Sequence, residues 1–248
     1  MTVFDDLAAE HDRLEGILLG LSEAEWLTES GAAGWSVADV VLHLAQTEEG
    51  VVASTAGADP GVAIAALSSS DGTVDDFAGQ MVRAERDVPE RVFARWQKAR
   101  RAALDTLRGA DPQQSLRWVA GTMKPATLAT TRLAEHWAHG LDITEPLNIG
   151  FPDTDRLRHV AWLAHRTLPY ALSLAGEQPT DVRCAVVCPD GSATWRFGPD
   201  DAASAITGPA GEFCRVAAQR LDPPAAHGLT ATGPHGATAL RVLRTYAR

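Results

Sequence analysis

The chain is poor in cysteine, has no long apolar run, and lacks the short motifs that mark nucleotide or hydrolase chemistry. Its three cysteines, Cys184, Cys188 and Cys214, are too few and odd in number for a disulfide framework, which points to a reducing compartment. Cys184 and Cys188 fall in an apparent strand, where four residues span about 13 Å, too far for a bridge and unfavourable for a zinc pair. No stretch approaches the roughly 20 apolar residues of a membrane span. The N-terminus, Thr2-Val3-Phe4-Asp5-Asp6, is acidic where a signal peptide is basic, so the expectation is a cytoplasmic protein without a membrane partner. There is no G-x-x-x-x-G-K-[ST] loop, no G-x-S-x-G elbow and no H-E-x-x-H pair. Basic residues are scattered, 22 against 32 acidic ones, for a net charge of −10. Such a surface repels phosphate backbones and argues against a nucleic-acid partner.

What is present is an ordinary globular composition. The 248 residues are 45% hydrophobic and 22% charged, enough for two modest domains with real cores. Apolar residues recur at helical spacing from Phe4 to Leu21, and a second helix is expected from Ser36 to about Ala53, with Ser36 and Asp39 forming a capping-box pair. Residues 54–75 read as a long polar connection. Helical texture returns over Val74–Arg86 and Pro89–Leu107, then from Pro125 to Thr144 before Pro146 stops it. Residues 145–154 hold two prolines and a glycine and read as a linker. After a helix from Thr154 to Leu174, two apolar runs, Val182–Cys188 and Ala193–Phe197, flank Asp190-Gly191 as a hairpin. Further helices are expected over Pro209–Leu221 and Gly236–Ala247, with a short strand near Leu229–Ala231. The expected fold is an α-helical bundle over 1–150 followed by a small α+β domain over 151–248.

Chemistry concentrates on two of these helices. In Thr130–Ile143, Arg132, Glu135, His139 and Asp142 share one stripe at about 3.6 residues per turn, while Leu133, Trp137 and Leu141 lie opposite. Taken alone this is an amphipathic helix with its polar face in water. The Ser36 helix changes the balance, because His43 sits among Val40, Val41, Leu42, Leu44 and Ala45, and a helix apolar nearly all round is buried. A buried imidazole needs a hydrogen bond or a metal. Glu135 and His139, at i and i+4, can close on one ion, and His43 from a facing helix completes a His2Glu set of the kind catalytic zinc uses. Three protein ligands leave coordination positions open for chemistry. Asp142, Gln46 and Thr47, each a turn from an imidazole, are candidates to orient the rings.

The pattern G-W-S-V-x-D-V-x-x-H-L-A over Gly34–Ala45, followed by R-x-x-E-x-x-x-H-G-x-D-I over Arg132–Ile143, resembles the DinB-like metal-binding four-helix bundle. It is most similar to the branch that includes mycothiol-dependent maleylpyruvate isomerase and the mycothiol S-transferases. That resemblance implies metal ligands His43, Glu135 and His139, a divalent metal that is usually zinc, and a low-molecular-weight thiol such as mycothiol as cofactor. It implies a small electrophilic substrate and a sterol-carrier-like α+β domain after the bundle. The isomerase holds substrate carboxylates with an arginine near its last helices, and Arg215 and Arg220 occupy the corresponding region here.

Two other readings follow from the same residues: a non-catalytic binding protein whose metal is structural, and a non-haem Fe(II) oxygenase, since two histidines and a carboxylate suit iron as well. Other residues have plainer expectations. His136 points about 100° away from Glu135 and stays out of the site. His11 reads as a satisfied, partly buried histidine, Trp35 as a staple for the start of the Ser36 helix, Trp137 as core, and Cys214 as inert packing. Gly208-Pro209-Ala210-Gly211 and Gly233-Pro234-His235-Gly236 are loop–helix junctions, which more often serve packing than anion binding.

Overall fold

The computed structural model describes residues 2–58, 73–119 and 121–246; most of the polar connection expected over 54–75 lies outside them. The chain divides into two compact units, one reaching to Phe151 and the other spanning Pro152–Tyr246.

The first unit is built on four long helices: α1 (Val3–Leu19), α3 (Val37–Thr55), α5 (Pro89–Gly109) and α6 (Pro125–Thr144). Shorter helices α2 (Glu23–Trp26) and α4 (Val74–Ala84) and a small antiparallel hairpin, β1 (Leu116–Trp118) with β2 (Gly121–Met123), complete it. The starts follow local chemistry. Thr2, Ser22, Ser36 and Thr73 each accept a hydrogen bond from the backbone three residues on, and an Asp or Glu there reaches back. Helices α5 and α6 instead open on Pro89 and Pro125, whose missing N–H is no loss in a first turn. Helix α3 packs chiefly on α5, and α1 on α6. Trp96, Trp137, Leu7, Leu14, Leu42, Leu44 and Leu133 fill the interior.

That interior also contains a polar layer. His11, Glu48 and His136 are fully buried, and Arg132 is 2% exposed. The Arg132–Asp142 side of α6 is therefore not turned to water as amphipathicity alone suggests, since Asp142 is also buried. Helix α6 is instead largely enclosed on its polar face as well as its apolar one, with Glu135 and His139 only partly buried.

The second unit holds α7 (Leu157–Leu174) and a four-stranded sheet of order β4-β3-β5-β6, from β3 (Val182–Val187), β4 (Thr194–Phe197), β5 (Ser204–Pro209) and β6 (Thr230–Thr232). The β3–β4 hairpin forms as expected, with Cys184 opposite Phe197 and Val187 opposite Thr194. Strand β5, which pairs parallel to β3, has no counterpart in the sequence reading, because its six residues end in Gly208-Pro209 and carry little alternation. Helices α8 (Ala210–Ala217) and α9 (Gly236–Val242) are shorter than periodicity suggests. Gln219 turns into left-handed backbone (φ 60) just past α8, and Leu243 is already extended after α9. Among the described residues no helix is long and apolar enough to cross a membrane.

Two outcomes follow from this packing. Ser36→Ala, which removes the side-chain cap of the helix carrying His43, lowers stability by about 1 kcal/mol, read as a lower urea midpoint at unchanged m-value. Burial first, and then the Arg100 and Arg132 charges, lower the pKa of His11 to about 3, and burial holds His136 well below its usual range. Unfolded imidazoles titrate near 6.5, so the unfolded chain takes up protons that the folded one refuses. The stability contributed by these neutral rings is complete above that value and is lost as pH falls toward about 3. In His11→Leu the dependence of unfolding free energy on pH over this window flattens by up to about 1.4 kcal/mol per pH unit.

Candidate metal centre

Helix α3 presents His43 toward Glu135 and His139 on α6. The Nε2 of His43 lies 3.9 Å from Glu135 Oε2, and the Nε2 of His139 lies 3.5 Å from the same oxygen. One ligand atom from each residue falls within 4.8 Å of the others. For an ion with bonds of about 2.0–2.1 Å, a tetrahedral edge is roughly 3.3 Å, so these separations suit a single divalent cation with little rearrangement. The donor set, two imidazoles and a carboxylate, suits zinc.

Each side chain is held from behind or from the side. Asp142 Oδ2 meets His139 Nδ1 at 2.8 Å, which places the ring proton on Nδ1 and leaves the Nε2 lone pair facing Glu135. Asp142 is fixed in turn, since Gly31 donates its N–H to the Asp142 carbonyl at 2.8 Å. A Cβ at position 31 would stand 3.1 Å from the Asp142 Cα, a tight contact that glycine avoids. The same loop carries Trp35, whose ring centroid is 5.1 Å from that of His43 and 6.4 Å, stacked, from that of His139. Trp35 is thus more than the helix staple expected of it: it walls one side of the centre. It also borders a cavity of about 440 Å³ lined by Glu29, Ser36, Asp39, Arg86 and Asp87.

The electrostatics match the roles. Burial works against the charged form of Glu135, but the facing imidazoles and the Arg132 charge outweigh it and hold the carboxyl well below the usual range. Burial lowers the pKa of His43. It works the same way on His139, where Asp142 and Glu135 overcome it and raise the pKa. The side chains of His43, His139 and Glu135 are 14%, 11% and 32% exposed, so the centre is partly enclosed and still reachable.

Not every expected contact exists. Gln46 bonds Met81 and Glu85, and the Thr47 hydroxyl bonds backbone carbonyls of its own helix; neither orients an imidazole ring. His11 is fully buried, and neither of its nitrogens has a hydrogen-bond partner among the described residues, contrary to a satisfied, half-exposed ring. With Glu48 and His136 it makes a second group whose ligand-capable atoms approach within 4.8 Å. There His136 is committed on both sides, Nδ1 to the Arg132 carbonyl at 2.9 Å and Nε2 to the Trp96 N–H at 3.2 Å. Its lone pair accepts from tryptophan, and it remains outside the centre as expected. Glu48 escaped the sequence reading altogether, because beside Glu49 it reads as part of an exposed acidic pair.

In the second unit Arg215 pairs with Asp153 at 2.9 Å and lines a cavity of about 730 Å³ with Cys188, Pro209, Gly211 and Glu212. Arg220 donates to the Ala218 carbonyl at 2.8 Å and does not line that cavity. Cys214 is packed in the core, and burial raises its pKa well above the ordinary thiol value.

Comparison with known proteins gives the family and the fold. Residues 7–144 match the family described as the mycothiol maleylpyruvate isomerase N-terminal domain. Two uncharacterized proteins of Mycobacterium tuberculosis, from strains CDC 1551 / Oshkosh and ATCC 25618 / H37Rv, are each 34% identical over 221 residues, covering 87% of this chain and 84% of theirs. Crystal structures of the mycothiol-dependent maleylpyruvate isomerase and of a histidine-to-alanine mutant of it superpose with TM-scores of 0.61 and 0.62, at 14% and 13% identity. Each covers 93% of this chain and 91% of the other. At that identity the likeness carries the fold, a helical domain followed by a small sheet-containing one. With a family match over more than half its length, the chain belongs to the mycothiol maleylpyruvate isomerase N-terminal domain family.

Proposed function

We propose that the chain is a divalent-metal enzyme, zinc being the expected ion, that activates a low-molecular-weight thiol of the mycothiol type for addition, isomerisation or S-transfer onto a small electrophile. The observation that carries this reading is the convergence of His43, Glu135 and His139 on one point, with Asp142 behind His139. A cation bound there supplies Lewis acidity, which ionises a coordinated thiol at neutral pH. The chain's own groups do the rest. Glu135 contributes one negative charge, the imidazoles contribute none, and Asp142 keeps the His139 lone pair aimed forward. Trp35 shields the imidazoles on one side.

A thiol from outside the chain is consistent with the state of its own cysteines. All three cysteines lie in the second unit and are buried. Burial pushes the Cys184 thiol up to about 12 and raises Cys214 well above the ordinary thiol value, so neither supplies a thiolate near neutral pH. For the anionic end of a substrate, Arg215 and Arg220 are the proposed anchors. Arg215 has the stronger support, because it lines a cavity of about 730 Å³ and Arg220 does not.

Purified protein should contain close to one equivalent of a divalent metal by elemental analysis. His43→Ala and His139→Ala should each lose it and, with it, thiol conjugation to an electrophile; unchanged turnover in either variant removes the metal-centred mechanism. In cobalt-substituted protein, titration with mycothiol should bring up cobalt–sulfur absorption. Arg215→Ala should raise KM for an anionic electrophile roughly tenfold with little change in kcat, as expected when a ground-state contact worth 1–2 kcal/mol is lost. An equal fall in kcat would assign the residue a different role.

A further inference from the structure

We infer that Arg132 is a positioning residue for the metal centre, its guanidinium bonding Glu48 and Thr47 at once and so fixing α3 against α6 in the register that brings His43 to Glu135 and His139. The inference rests on the metal centre proposed above and adds to it a residue that touches neither metal nor substrate.

The contacts form one continuous path. Arg132 Nε donates to Glu48 Oε1 at 3.0 Å, and an Arg132 terminal nitrogen donates to Thr47 Oγ1 at 2.6 Å. The Thr47 hydroxyl passes its own proton to the main-chain carbonyls of His43 and Leu44, both at 3.0 Å. A chain of hydrogen bonds therefore runs from α6, one turn before Glu135, to the peptide of the ligand on α3. The far end is anchored too. The Arg132 carbonyl meets His136 Nδ1 at 2.9 Å, and Trp96 on α5 donates to the other nitrogen of that ring.

Two physical arguments give this path a role beyond holding the bundle together. Helix α3 rests mainly on α5 and makes a smaller contact with α6. Apolar packing is non-directional and tolerates small sliding, whereas metal–ligand distances tolerate only about 0.2 Å. A guanidinium bonded to two neighbouring side chains fixes both distance and angle. The second argument is energetic. Arg132 and Glu48 are 3% and 0% exposed at their side chains, and a buried ion pair of this kind is often no more stable than well-packed apolar residues of similar volume. Stability alone gives little reason for the pair, and registry gives a good one.

The experiment separates the two roles. In the full chain, cobalt affinity is measured by competition with a chromophoric chelator, and thermal stability of the metal-free protein is measured alongside it. Arg132→Met alone strands the buried Glu48 and is expected to lower both. The double variant Glu48→Leu/Arg132→Met removes the pair together. It should recover metal-free stability while cobalt affinity stays roughly 10- to 100-fold weaker than wild type, the range seen when groups supporting metal ligands are lost. Its cobalt absorption spectrum should move away from the wild-type pattern. Thr47→Val, which keeps the ion pair and breaks only the path to His43, should also weaken cobalt binding, toward the lower end of that range. Wild-type affinity and spectrum in either variant overturn the positioning role while leaving the centre intact. A wild-type chain that takes up no cobalt overturns the centre itself, and the inference with it.

Discussion

The structure depends on a single constraint: polar side chains on the facing surfaces of α3 and α6 must find partners inside a bundle that excludes water. An unpaired carboxylate or guanidinium there costs several kcal/mol. The helices can therefore approach only where Arg132 meets Glu48 and Thr47, while within α6 itself His139 is held by Asp142. Once those partners are in place, His43, Glu135 and His139 have little freedom left. The same pairing keeps the interior specific, since few other helix registers satisfy all of these groups together.

Two clusters of like composition show how partners decide chemistry. Each has two histidines and one glutamate within 4.8 Å. In one, the ring proton of His139 is held by Asp142 and the opposite nitrogen points toward Glu135. In the other, tryptophan and a main-chain carbonyl occupy both nitrogens of His136, and a guanidinium takes one oxygen of Glu48. Residue type makes either a candidate for a metal, but the first keeps its lone pairs available near the surface, whereas in the second the His136 ring is committed to the core on both sides.

The second unit carries a different burden. Its sheet places Gly208 and Pro209 at the end of β5, where α8 begins, and brings Arg215 beside Asp153. Its three cysteines are packed away, and burial raises the pKa of Cys184 and Cys214. The likeness in fold to the solved isomerase structures extends over both units, with 93% of the chain aligned at only 13–14% identity. The architecture is thus far better kept than the side chains that clothe it.

Much of this was legible in the amino-acid order, because helix signals are local. Capping pairs such as Ser36 with Asp39, prolines at 89 and 125, and the i, i+4 spacing of Glu135 and His139 act within one or two turns, so the long helices and two of the three ligands follow from neighbours alone. Short elements that gain stability only from distant partners were not legible, among them the β1–β2 hairpin and the parallel β5. The site divides the same way. That His43 belongs with α6 was inferred from its apolar surroundings. That Trp35 stands over both imidazoles, that Glu48 and Arg132 clamp the helices, and that Gln46 and Thr47 turn away from the rings were decided by tertiary structure. The reason is physical: spacing along a helix tells which face a side chain occupies, and only packing tells what that face meets.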